Sequence, residues 1–467
     1  MVAVVLASLL ALHQLGQGAL ALPNMDSFPL PPRQSATQQA VYMRHAALAK
    51  EASGAATSQV LEFFDRADFR AGLEECCTGI AKLPAEEILT RFRAEVLAAE
   101  LAHSFPQTNR SGHGYDETLT MMEEYPVFMN LWQATLVDEA EGLPVQFDSG
   151  MNVVEENLYG CSAFQNSTHP TWDEAAGRMI YTAHNLWLVD TGSSPHFGAI
   201  SAVFRESAVR DMVLFSPIDT GLYYRACHPG AKSYPPENPF NCSGWSPEVL
   251  GTMASFDHMI LANWAVLGER HNLTMVQEAL KFFSHSPFAS SNYSSLPSLN
   301  DEWIGDYWEA VLLGAPRLTD VKFVIPMFMD LFGTSDGEHL ARLAKQHTWP
   351  VLWAFGELST SDLPGQVRLL DPRSAAYAKL NVTGPEGAAE AFEALWSKVA
   401  SARQLTGQLS DDEALQYWDE LKAQQIWVAP SAAHLCASTD ACVGVDMRSE
   451  NACICSDAAG SAVSIMV

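Results

Sequence analysis

The chain has 467 residues, 48% of them hydrophobic, which is enough for a large core and, on length alone, for two or three domains. It carries 55 Asp and Glu against 27 Lys and Arg, a formal net charge of −28. Such a balance opposes binding to nucleic acid or anionic lipid, since both require a positive surface.

Residues 1–21, "MVAVVLASLLALHQLGQGALA", are an apolar run closed by Ala19-Leu20-Ala21. This small-x-small ending predicts a secretory signal peptide cleaved before Leu22. Residues 22–36 are Pro-rich and read as an extended leader. A globular region over 37–430 follows. Its first part, 37–105, is Ala/Leu/Glu-rich with apolar residues three and four apart, which predicts helices up to about Phe105.

The segment 178–228 changes character. "FGAISAVF" and "RDMVLFSPI" are β-branched and aromatic, and the polar "RESAV" separates them. The pattern predicts an antiparallel hairpin with Phe197 opposite Ile218 and His196 opposite Asp219. Over 246–430 helices return, with Ser246 and Pro247 as a helix start and Thr383/Glu386 and Ser410/Glu413 as capping boxes. "PVLWAFG" and "QVRLL" read as short strands. The fold class that results is α+β: helix-rich, with a small central, mainly antiparallel sheet and a disulfide-stapled C-terminal tail over 431–467.

Six Asn-x-Ser/Thr sequons start at Asn109, Asn166, Asn241, Asn272, Asn292 and Asn381, which predicts an N-glycosylated protein of the secretory route. The nine cysteines suit an oxidising compartment. Cys436, Cys442, Cys453 and Cys455 can form two disulfides in the tail, with three pairings open. Cys227 and Cys242 can close a loop, leaving Cys76, Cys77 and Cys161 with one thiol unpaired. Cys453-Ile-Cys455 is too tight for the usual zinc ligand pair, and no His-Glu-x-x-His occurs, so neither metal nor cofactor is expected. No run after residue 21 reaches membrane-spanning length.

Three constellations could carry chemistry. "LVDTGSS" resembles the first catalytic loop of the pepsin-like aspartic proteases, which implies that Asp190 shares a proton with a second aspartate. A second Asp-Thr-Gly begins at Asp219, but only 29 residues on and in helical surroundings, where that family interposes a whole β-rich lobe. Turn chemistry accounts for both triplets. Asp190, His196 and Asp219 then become candidates for a polar catalytic pocket at the open end of the hairpin.

Gly333-Thr-Ser335-Asp-Gly337 resembles the nucleophile elbow of the α/β-hydrolases, which implies a strand–turn–helix setting and a triad of Ser335, Asp371 and His434. Glu338 departs from that pattern, standing where a small residue would permit close helix packing. Finally, "SLNDEWIGDYWEAVLLG" spaces Glu302, Asp306 and Glu309 along one face of a predicted helix, beside aromatic residues, as glycoside hydrolysis could use.

The sequence therefore supports two functional classes. The first is an extracellular binding or structural glycoprotein with a protein or carbohydrate partner. The second is an extracellular hydrolase using the Asp/His pocket or the Ser335 elbow.

Overall fold

The computed structural model describes residues 28–105, 115–140, 154–155, 158–160, 170–186, 198–220, 249–285, 308–354, 357–359, 366–368, 379–381, 388–406, 409–423, 427–428, 442–446, 452–456 and 462–466.

Helix α1 (Ala36–Phe64) opens on a reciprocal capping box: Ser35 Oγ accepts from the Gln38 amide, and Gln38 Oε1 accepts from the Ser35 amide. α2 (Ala67–Cys76), α3 (Thr78–Ala81) and α4 (Ala85–Ala98) follow. The helical pattern stops short of Phe105, because Ala99 turns extended and β1 (Glu100–Phe105) begins. Leu101, Ala102, Ser104 and Phe105 are all buried. Adjacent residues buried on opposite sides call for a strand covered on both faces, and this tertiary burial overrides their helix propensity.

The next elements are α5 (Tyr115–Glu124), α6 (Leu131–Ala140), α7 (Trp172–Ala176), β2 (Ile180–Asn185), β3 (Ile200–Phe204), α8 (Glu206–Val209), β4 (Val213–Ser216), α9 (Asp257–His271), α10 (Met275–His285), β5 (Trp308–Leu312) and β6 (Val321–Pro326). After them come α11 (Phe328–Leu331), α12 (Ser335–His347), β7 (Leu352–Trp353), β8 (Glu357–Ser359), β9 (Gln366–Arg368), β10 (Lys379–Asn381), α13 (Ala388–Thr406), α14 (Asp411–Ala423), β11 (Trp427–Val428), β12 (Cys442–Asp446), β13 (Ala452–Ser456) and β14 (Ala462–Met466). The Ser410/Glu413 capping box forms as read from the sequence and starts α14. Ser246, Pro247, Thr383 and Glu386 lie outside the described residues. No helix among the described residues is long and apolar enough to cross a membrane.

The protein is helix-rich with one six-stranded antiparallel sheet, ordered β4-β5-β2-β1-β3-β6. Two expectations fall here. β3 and β4 do not form a hairpin: β1, β2 and β5 lie between them. The polar "RESAV" is not a tight turn but the start of α8, followed by a 3₁₀ turn at Arg210–Met212. The helix expected around Glu309 is instead strand β5, because Trp308–Leu312 is buried throughout rather than along one stripe. Two small sheets, β11-β10-β7 and β8-β9, lie further along, and β12-β13-β14 pair as an antiparallel meander in the tail. There the backbone sets Cys442 opposite Cys455, and no disulfide is present among the described residues.

Register divides the large sheet into two faces. On one, Phe215, Ala310, Thr182, His103, Ala202 and Val324 align across the six strands. Most of these apolar residues join the main core, where Phe63, Phe64, Phe69, Phe92, Trp264 and Phe283 of α1, α2, α4, α9 and α10 pack ring against ring. On the other face, Ser216, Glu309, Ala183, Ala102, Val203 and Phe323 align in the same way. Its β6 side is apolar, packed by Leu352 and Ala354. Its β4–β5 side is covered by Val41 of α1 with Val154, Leu158 and Tyr159.

The second glycine of the Gly-x-Ser-x-Gly stretch has a packing role. A Cβ on Gly337 would stand 2.0 Å from the Leu331 carbonyl oxygen and 2.9 Å from Trp396 Cη2. Gly337→Ala is expected to cost about 1–3 kcal/mol by forcing backbone atoms apart, read as a lower midpoint in thermal unfolding.

Candidate functional site

The sheet face that carries Glu309 is the place where polar groups collect. In the register Glu309 of β5 lies between Ser216 of β4 and Ala183 of β2. Ala183 and Ala102 are the next two residues along the row, so no large side chain stands beside the carboxyl on that side. At the β1 and β2 ends of the same face, Glu100 pairs with Asn185, whose Nδ2 donates to Glu100 Oε2 at 3.2 Å.

Three donors hold Glu309. Thr220 gives its amide to Oε2 at 3.2 Å and its hydroxyl to Oε1, and the Tyr159 hydroxyl donates to Oε1 at 3.3 Å. Asp219 is the residue before Thr220, and it too is buried. Burial, and then the charge of Asp219, push the Glu309 carboxyl well above the usual carboxylate range, against the opposing pull of Thr220 and Tyr159. Its surroundings thus favour the protonated form of Glu309, beside a second buried carboxyl. The Ser216 hydroxyl, fully buried, has no hydrogen-bond partner among the described residues.

Each component is placed by a separate element. Asn263 of α9 donates to the Pro217 carbonyl at 2.6 Å and so fixes the turn that carries Asp219 and Thr220. Tyr159 is fixed twice. Its carbonyl is held by His45 Nε2 of α1 at 2.7 Å, and the Leu158 amide closes a helical turn onto Val154. Gly160 then turns with φ +66, where a Cβ would meet the Arg44 guanidinium at 2.5 Å.

A second buried cluster anchors that turn. Glu155 forms an ion pair with Arg178 and accepts from Trp132 Nε1 and the Tyr181 hydroxyl, each at 3.3 Å. The Arg178 guanidinium lies 4.0 Å from the Trp132 ring centroid. Burial pushes the Glu155 carboxyl up and Arg178 opposes it. Because arginine keeps its proton, Glu155 stays ionised, since a neutral Glu155 would leave a buried cation uncompensated. Tyr181 reaches this pair from the Glu309 face of β2, and burial with the carboxyls around it holds its hydroxyl protonated.

On the opposite face His184 stacks on Phe215 at 4.7 Å beside Trp308, and burial pushes its imidazole down to about 3. This histidine is a neutral core residue.

Of the residues singled out in the sequence, Asp219 and Glu309 come together, while Asp190 and His196 lie outside the described residues. Ser335 is the exposed first residue of α12, with Thr334 as N-cap. Helix α11 and Gly333, not a strand, lead into it, so the strand–turn–helix setting of a nucleophile elbow is not formed. Asp371, His434, Glu302 and Asp306 lie outside the described residues. Among the described residues, no group of three or more His, Cys, Asp or Glu is arranged to hold a metal ion. Sequence reading missed Tyr159, Glu155 and Arg178, which join the site only through folding. The signal for Glu309 was a lone acid in the apolar "WEAVLL", a residue type that is rarely buried without a role.

No protein-family model matches the chain, and no characterised protein matches it significantly in sequence.

Two of the buried titratable groups, His184 and Glu309, have opposite effects on stability. Unfolded His184 takes a proton near pH 6.5 that the folded form refuses down to about 3, so this contribution is lost as pH falls below 6.5. Unfolded Glu309 loses its proton near pH 4.5 while the folded form keeps it, so this contribution is lost as pH rises above 4.5. Between 4.5 and 6.5 the two slopes oppose each other. Above pH 6.5 the His184 contribution is complete, and the raised Glu309 carboxyl lowers stability with rising pH until the folded form also loses its proton. Denaturant unfolding across pH is expected to show this slope in the wild type, and its loss in Glu309→Gln.

Proposed function

We propose that this protein is a secreted, N-glycosylated hydrolase whose acid–base pair is Glu309 and Asp219. What supports the reading is a buried carboxyl whose surroundings favour its protonated form, beside a second buried carboxyl, each placed by a separate element. Two carboxyls whose environments separate their proton affinities supply an acid and a base at the same pH.

In the reaction, Asp219 takes a proton from an attacking water while Glu309 gives its proton to the leaving atom. The proton gained by Asp219 then returns to Glu309 and restores the starting state. Thr220 and Tyr159 hold the Glu309 oxygens. Ester, amide and glycosidic bonds all break by this route.

The secretory reading rests on the signal-like residues 1–21 and the six sequons. Asn272 is exposed at the left-handed C-cap of α9, a position that accommodates a glycan. Disulfides among Cys436, Cys442, Cys453 and Cys455, and between Cys227 and Cys242, fit the same compartment.

Glu309→Gln and Asp219→Asn are expected to lower hydrolysis by about 10²–10⁴-fold on the responsive member of an ester, amide and glycoside panel, with folding retained. Infrared spectroscopy of the wild type should show a protonated carboxyl at pH 7 that Glu309→Gln removes. Full turnover in Glu309→Gln would sink the assignment. Secreted protein is also expected to begin at Leu22, and Asn272→Gln to lose the mass of one glycan.

A further inference from the structure

Cys76 and Cys77 are both thiols, and they stand where one helix ends and the next begins. α2 stops at Cys76, α3 starts at Thr78, and Cys77 between them has φ −146 and ψ 55, neither helical nor extended. The Cys77 Sγ lies 2.8 Å from Cys76 Sγ and 3.2 Å from the Phe283 carbonyl oxygen. Cys76 is half-buried between the exposed residues Glu75 and Thr78, whereas Cys77 faces the core.

We propose that Cys76 and Cys77 form a reversible vicinal disulfide, a redox-sensitive modification site that controls the end of α10. A low-molecular-weight disulfide, of the glutathione disulfide class, is the oxidant. The Cys76 thiolate attacks one sulfur of that disulfide, breaking its S–S bond and releasing one thiol. Cys77 then gives up its proton and attacks Cys76 Sγ, closing the Cys76–Cys77 bond and expelling the second thiol. Two cysteine thiols are oxidised, one external disulfide is reduced, and both protons end on the released thiols.

Several features suit the pair to this exchange. The accessible sulfur is Cys76, and the S–H of Cys77 beside it favours its thiolate. Cys77 is the junction of the two helices: its φ and ψ are non-helical, while its amide still donates to the Leu73 carbonyl and its carbonyl accepts from Ala81. Neighbouring Cα atoms are about 3.8 Å apart across a trans peptide, closer than in ordinary disulfides, which makes such a bridge easy to reduce again.

The structural consequence falls on α10. Phe283 lies in the last turn of that helix. The single S–H of Cys77 can turn to the Phe283 carbonyl or to Cys76 Sγ, and a disulfide has none to give to either. α2 also packs closely on α10, with Gly72 against Leu280, so the loss falls at a tight contact.

Cleavage at Arg70 and Lys82 releases the peptide 71–82, in which these are the two cysteines. The full-length protein is equilibrated in mixtures of reduced and oxidised glutathione, alkylated, digested and weighed. As the oxidised share rises, the peptide is expected to pass from two alkyl groups to none, becoming two hydrogen masses lighter than the dithiol. In Cys77→Ser the second step is blocked, and Cys76 is expected to accumulate the glutathione adduct. A doubly alkylated peptide at every ratio, or a crosslink from either residue to another cysteine, would overturn the proposal. Amide exchange over 275–285 is expected to quicken on oxidation, and unchanged exchange there would overturn the link to α10.

Discussion

The two-residue alternation of β5 is the constraint on which the rest of the structure depends. Trp308, Ala310 and Leu312 enter the aromatic helical core, and Val311 and Leu313 enter the smaller core on the opposite face. A strand in that position must bury both sides, so any side chain on it loses its water. Glu309 belongs to the second set, and its carboxyl is desolvated because of where the strand lies.

That desolvation organises the layer above. A buried carboxyl needs donors, and they come from two parts of the chain distant in sequence, Thr220 after β4 and Tyr159 on the turn over the sheet, while His45 of α1 holds Tyr159 in place. The Glu155–Arg178 pair is the ionised counterpart of the neutral Glu309. One acid is compensated by a cation and the other keeps its proton. Two acids of the same type thus reach opposite charge states on one sheet face, because one has a guanidinium beside it and the other has a carboxyl.

Local chemistry was the part of the fold that could be read directly. The capping box at Ser410, the short strand at Leu352 and the helices of the first hundred residues depend on neighbours a few positions away. The misread stretches were those whose environment comes from elsewhere. "LAHSF" and "WEAVLL" carry helix-forming residues, yet both are interior strands, since burial on two faces outweighs propensity. The β3–β4 pair looked like a hairpin because the strands are consecutive. Their true partners are β1, β5 and β6, which come from earlier and later in the chain.

The sequence by itself determined the acidic charge, the sequons, the signal-like start and the helical character, because each follows from composition or from short-range spacing. It also marked Asp219 and Glu309 individually. Only the tertiary structure decided that they meet. The two residues lie on different segments, and register across β4 and β5 brings their ends together on a covered face. A carboxyl's charge state depends on what surrounds it in space, and that is settled by strand order rather than by neighbours in the chain.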